Sequence, residues 1–151
     1  MRCFIQTNDP VGRKAYIAIK YHVDQRNRER IEQITAALAR IGLDSLCIVR
    51  DVEAWGQVAL DAATLMRVSC EALDASELVV VDLTEKGVGI GIEAGYAYAR
   101  GIPIVTIAEA GADVSTTLEG ISRSVSFYRD AEELERVLAA ACTRIRQAAQ
   151  S

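Results

Sequence analysis

Apolar runs and helical patterns alternate along the chain, the pattern of a domain built on a parallel sheet with covering helices. Ala15-Tyr16-Ile17-Ala18-Ile19 reads as the first strand. A polar stretch from His22 to Arg30 leads into a helix whose Ile31, Ile34, Leu38 and Ile41 follow helical spacing, and Gly42 ends it as a residue that tolerates left-handed geometry. Leu46-Cys47-Ile48-Val49 reads as the second strand, and a helix is expected from about Ala62 to Ala75 with Leu65, Val68 and Ala72 on one face. Leu78-Val79-Val80-Val81 is short and continuously apolar, as a strand covered on both faces would be. A glycine-rich turn then enters a helix near Glu93 to Arg100. Ile102-Pro103-Ile104-Val105-Thr106-Ile107 gives a fourth strand and Val125-Ser126-Phe127-Tyr128 a fifth. Asp130 and Glu133 have the spacing of a capping box before a last helix carrying Leu134, Val137, Leu138, Ala141 and Ile145.

Five strands with intervening helices predict a flavodoxin-like, doubly wound α/β fold: a mostly five-stranded parallel sheet with helices on both faces. Residues 1–13 are expected to form an N-terminal arm or extra strand, and 14–151 a single domain. In such folds ligands gather at the carboxyl ends of the strands.

Composition narrows the functions. A length of 151 residues suits one compact domain. The net charge of -4 gives no global attraction to a nucleic-acid polymer or an anionic membrane, so the expected partner is a small molecule. No apolar run reaches the roughly 18 residues of a membrane span, and the first ten residues lack the apolar core of a secretory signal, so a cytoplasmic location is expected. Cys3, Cys47, Cys70 and Cys142 are far apart, and His22 is the one histidine; no metal site is expected. Cys47 and Cys142 read as buried thiols.

The unusual residues follow the third strand. In Thr84-Glu85-Lys86-Gly87-Val88-Gly89-Ile90-Gly91-Ile92-Glu93, the glycines at 87, 89 and 91 let backbone approach a ligand, and a helix start supplies free N–H groups. The spacing matches neither a P-loop nor a dinucleotide fingerprint. Glu93, read as lying in the first turn of that helix, either satisfies helix-terminal N–H groups or serves as nucleophile or base at the floor of a cleft. Spacing alone leaves both open.

The run Gly89-Ile90-Gly91-Ile92-Glu93-Ala94-Gly95-Tyr96-Ala97-Tyr98-Ala99, followed by Gly101-Ile102-Pro103-Ile104-Val105, resembles the signature of the nucleoside 2-deoxyribosyltransferase family. That family includes 2'-deoxynucleoside 5'-monophosphate N-hydrolases and cytidine-monophosphate N-glycosidases, and Glu53-Ala54-Trp55-Gly56 resembles a stretch of its cytidylate-cleaving branch. The resemblance implies cleavage of the N-glycosidic bond of a nucleoside or nucleoside 5'-monophosphate, by hydrolysis or base transfer, with Glu93 as nucleophile and no cofactor. It also implies a homodimer or larger homo-oligomer. A non-catalytic nucleotide-sensing module on the same fold is the alternative.

Further site residues follow from it. The family's sugar-holding aspartate falls on Ser69, which supplies a hydroxyl and no charge. Ser115 lies where monophosphate hydrolases of the family place a phosphate-binding serine, contributed in some cases by a neighbouring subunit; Gly87 replaces another. Tyr21, His22 and Arg26, in the basic loop with Lys20 and Arg28, are candidates for contacting substrate, the cations for a 5'-phosphate. Trp55 is a candidate for the base pocket, and Asp51 and Glu53 for touching the base. Each has a plainer alternative: a solvated helix start for the loop, a helix cap for Ser115, a core or interface place for Trp55 and solvated loop carboxylates for Asp51 and Glu53.

Overall fold

The computed structural model describes residues 13–151; the expected N-terminal arm lies almost wholly outside them. Five strands, β1 (Lys14–Ala18), β2 (Asp44–Leu46), β3 (Leu78–Asp82), β4 (Ile104–Glu109) and β5 (Ser124–Tyr128), form one sheet in the order β2-β1-β3-β4-β5. Every pairing is parallel, with Tyr16 of β1 opposite both Leu46 and Val79. The helices are α1 (Arg28–Arg40), α2 (Ile48–Asp51), α3 (Ala62–Asp74), α4 (Val88–Ala99), α5 (Thr116–Ile121) and α6 (Ala131–Ala149), with a 3-10 turn at Ala54–Gly56. The predicted doubly wound α/β fold is the one observed.

Strand alternation explains the two-sided core. Ala15, Ile17, Leu78, Val80, Val105 and Ile107 point to one face, where α1 and α6 cover them with Ile31, Ile34, Leu38, Leu134 and Leu138. Tyr16, Ala18, Val79, Val81 and Ile104 point to the other, under Leu73 of α3, Ile90, Ala94 and Ala97 of α4 and Leu118 of α5. Because both faces are buried, β3 is buried at all five positions, and this is why Leu78–Val81 reads as an unbroken apolar run. The small residues Ala94 and Ala97 let α4 approach the sheet closely.

Caps set several boundaries. Gly42 follows α1 at φ +78°. Asp61 caps α3 by accepting from the Thr64 N–H at 2.9 Å. At α6 the Asp130 carboxylate accepts from the Glu133 N–H at 2.8 Å, whereas Glu133 reaches back one residue further than in a capping box, to the N–H of Arg129 at 2.9 Å.

Three expectations are corrected. The second strand stops at Leu46, and Ile48–Asp51 is a helical turn instead. Asp51 drives the change, accepting from the Cys47 N–H at 2.9 Å, while Arg50 donates to the Ser45 carbonyl at 2.9 Å and to Asp51. An edge strand with only one neighbour is readily diverted by such local bonds. The fourth strand begins at Ile104 and runs to Glu109. The helix after β3 begins at Val88, so Glu93 is its sixth residue and lies in the second turn. Among the described residues no helix is long and apolar enough to cross a membrane.

Candidate active site

In the order β2-β1-β3, connections leave β1 and β3 in opposite directions across the sheet, opening a crevice at the strands' carboxyl ends. A cleft of about 330 Å³ lies there. Its walls come from Tyr16 and Ile19 of the first strand and its exit, from Cys47 and Ile48 after β2, from Leu65, Met66 and Ser69 of α3, and from Gly87 to Ile90 and Glu93 at the start of α4. Lys20, Tyr21 and Glu53 stand at its edge.

Glu93 is the acidic group of the cleft wall that has a buried partner. The Tyr16 hydroxyl donates to its Oε1 at 2.6 Å. Burial pushes the Glu93 carboxyl up from 4.5 to about 7, and the Tyr16 hydrogen bond works against that rise by favouring the carboxylate. Burial and the neighbouring carboxylate drive the phenol far above its ordinary range, so Tyr16 stays a donor. Ser69 is 2 % exposed and lies beside the same phenol. Cys47 also borders the cleft, but burial raises its thiol to about 12, leaving it protonated and inert.

Sequence reasoning missed Tyr16. Its signal was a lone phenol in an otherwise aliphatic strand, since a buried tyrosine hydroxyl demands a partner. No spacing rule points to Glu93 as that partner, because the two are 77 residues apart.

The other candidates divide. Tyr21, Ser69, Gly87 and Gly89 join Glu93 on the cleft wall. Gly91 does not: it lies on the exposed face of α4, where an added Cβ would meet nothing within 4 Å, so no close approach depends on it. Asp51 is engaged by Arg50 and by the Cys47 N–H, which holds its carboxyl below the ordinary range despite partial burial. Trp55 does not line the cleft: it stacks under Arg28, whose guanidinium carbon is 4.4 Å from the ring centroid, and packs against the core on the α1 and α6 side of the sheet. Its carbonyl accepts from the Gln25 side chain. Ala54 and Trp55 both hold positive φ, 46° and 59°, followed by Gly56 at 87°. Ser115 precedes α5, half-buried, and shares a hydrogen bond with Thr117 at 2.8 Å without capping the helix.

His22 and Arg26 sit beside the cleft and face Glu85. The Glu85 Oε2 lies 2.9 Å from His22 Nε2, 3.7 Å from Arg26 and 3.8 Å from Lys20. Behind this group the buried Asp82 accepts from the Thr84 N–H and the Tyr128 hydroxyl, both at 2.9 Å, while Arg30 approaches Asp82 at 3.9 Å and bonds Glu109 at 2.6 Å. These bonds fix the start of the loop that carries Gly87. Among the described residues no three His, Cys, Asp or Glu side chains converge as a metal site would require.

The family model for nucleoside 2-deoxyribosyltransferases matches residues 15–126, a span that takes in the β1 tyrosine, the cleft and at least part of every strand. The chain belongs to that family. Among solved structures, the CMP N-glycosidase of Clostridium botulinum superposes with a TM-score of 0.61 at 18% identity, covering 85% of this chain and 99% of that one. A 2-deoxyribosyltransferase of Bacillus psychrosaccharolyticus gives 0.64 at 12% identity, with 81% and 90% covered, and a conserved protein of Enterococcus faecalis 0.65 at 15%, with 89% and 98% covered. At these identities the likeness concerns the fold. Among curated proteins none matches the chain. Within a deoxyribosyltransferase-family fold, the cleft at the β1–β3 crevice is where the sequence signature and the part-buried Tyr16–Glu93 pair coincide.

Proposed function

We propose that this cleft cleaves the N-glycosidic bond of a nucleoside or nucleoside 5'-monophosphate, with Glu93 as the nucleophile. The observation that carries the reading is the Tyr16–Glu93 hydrogen bond on the wall of a mostly apolar cleft. Bond breaking builds oxocarbenium-like positive charge at C1', which an adjacent carboxylate stabilises and captures. The base leaves with the electron pair of the C1'–N bond and takes a proton from solvent. Glu93 forms the new ester bond to C1', and water or a second base then displaces it, restoring the carboxylate. Tyr16 orients the carboxylate and keeps part of it ionised near neutral pH. Family membership and the likeness to an N-glycosidase and a deoxyribosyltransferase support the same chemistry.

The test is a panel of nucleosides and monophosphates scored for free base by chromatography, with and without a second base as acceptor. Glu93→Gln keeps the shape and removes the nucleophile; activity is expected to drop by about 10³-fold or more, as loss of a covalent nucleophile does elsewhere. Full activity in a folded Glu93→Gln protein overturns the assignment. Binding of the panel without base release would replace it with a nucleotide-sensing role.

The same reading includes assembly as a homodimer or larger homo-oligomer. Val88, Ile92 and Tyr98 stand exposed along α4, the helix that carries Glu93, and support a second copy packing there.

A further inference from the structure

The loop after β1 directs Lys20, His22 and Arg26 at one oxygen of Glu85, within 3.8, 2.9 and 3.7 Å. Convergence of three basic side chains on one point is the arrangement that receives a multi-oxygen anion. A carboxylate fills it poorly. His22, whose side chain is 7 % exposed, approaches Oε2 off the axis of its ring N–H, leaving Nε2 without an aligned hydrogen-bond partner among the described residues. Lys20 and Arg26 stand beyond hydrogen-bonding distance of the same oxygen. Arg30, which borders the same small space, is already engaged by Glu109 and Asp82.

This seat adjoins the cleft. Lys20 borders both, and its Cγ would lie 3.6 Å from a Cβ placed on Gly87. We infer that Glu85 is an internal anion occupying the seat of a substrate phosphate, and that it biases the cleft towards uncharged nucleosides. The inference rests on the nucleoside reading of the same cleft. Two effects act together. A phosphate must displace Glu85 from its basic partners, and wherever the carboxylate moves on its short tether it remains a like charge beside the phosphate. An uncharged 5'-hydroxyl meets neither obstacle.

Glu85→Gln keeps the side chain's size and removes its charge, and Glu85 is 37 % exposed, so the fold should tolerate the change; circular dichroism and the melting temperature check this. Calorimetry with inorganic phosphate as the probe is expected to show affinity at least tenfold higher in Glu85→Gln than in the unaltered chain. Arg26→Ala in the Glu85→Gln background is expected to cancel the gain. For a matched nucleoside and 5'-monophosphate, the ratio of kcat/KM for monophosphate to that for nucleoside is expected to rise at least tenfold, chiefly through KM. Unchanged phosphate affinity, or a gain that survives loss of Arg26, overturns the inference. A nucleotide preference already present in the unaltered chain and unmoved by Glu85→Gln overturns it equally. If neither protein releases base but the phosphate affinity rises and Arg26→Ala cancels it, the anion seat stands and the glycosidase reading is what fails.

Discussion

Between pH 4.5 and 7 the Glu93 side chain ionises more readily in the unfolded chain than in the folded one, since burial raises its folded value to about 7. A carboxyl raised in this way favours the folded state fully below about 4.5, and that contribution is lost as pH climbs through 7. Glu93→Gln should therefore match the unaltered protein in stability near pH 4 and exceed it at pH 8, by up to about 3 kcal/mol from the size of the shift. Chemical denaturation at the two pH values measures the difference; equal stability at pH 8 would contradict the burial of this group. Activity depends on the same proton with the opposite benefit, because only the carboxylate attacks C1'. The rate should rise with pH through about 7. Tyr16→Phe removes the bond that favours the carboxylate, so the rising limb should move to higher pH, and a general packing defect would lower the rate without moving the limb. At this scale the sequence was legible where a motif existed, as at Glu93, and illegible where the partner lay far along the chain, as Tyr16 and Glu85 did.

The helices and central strands were legible because each obeys one rule at a time. Burial on both faces makes β3 an apolar run, and a single buried stripe places Ile31, Ile34 and Leu38 of α1 at helical spacing. At the margin of the sheet two rules compete. Leu46-Cys47-Ile48-Val49 is as apolar as a strand, yet Arg50 and Asp51 satisfy the backbone locally and turn it into α2. The turn beyond it, Ala54-Trp55-Gly56, holds three consecutive positive φ values, two of them on residues with a Cβ. Such geometry costs about 1 kcal/mol or more per non-glycine residue. Ala54→Gly should recover part of that, raising the melting temperature by a few degrees, on the order of 1 kcal/mol. A drop would mean that the Ala54 methyl contributes more packing than its backbone costs.

For the molecule as a whole, topology assembles what spacing cannot. Residues 16, 69 and 93 meet because β1 sits between β2 and β3 and α3 and α4 share one face of the sheet. The doubly wound parallel arrangement was legible from the alternating pattern and right-handed crossovers; the depth of the cleft was not, since it depends on side chains from segments far apart in the chain. The exposed apolar face of α4 sets the assembly prediction: sedimentation should give a dimer or larger oligomer, and Ile92→Glu, at a half-exposed site, should yield monomers with the melting curve of a folded domain. A monomer at all concentrations before any substitution would remove the proposal and leave the cleft untouched.

Trp55 is the one tryptophan in the chain; it lies beneath the Arg28 cation, and its carbonyl accepts from Gln25 of the loop after β1. The protein therefore carries its own optical reporter. Emission from an indole responds to a charge against its ring, so an occupant that shifts the basic loop or Arg28 changes the signal without an added label. In the Glu93→Gln protein, where base release is expected to be negligible, a fluorescence titration would rank compounds by affinity alone and so separate what the cleft recognises from what it transforms.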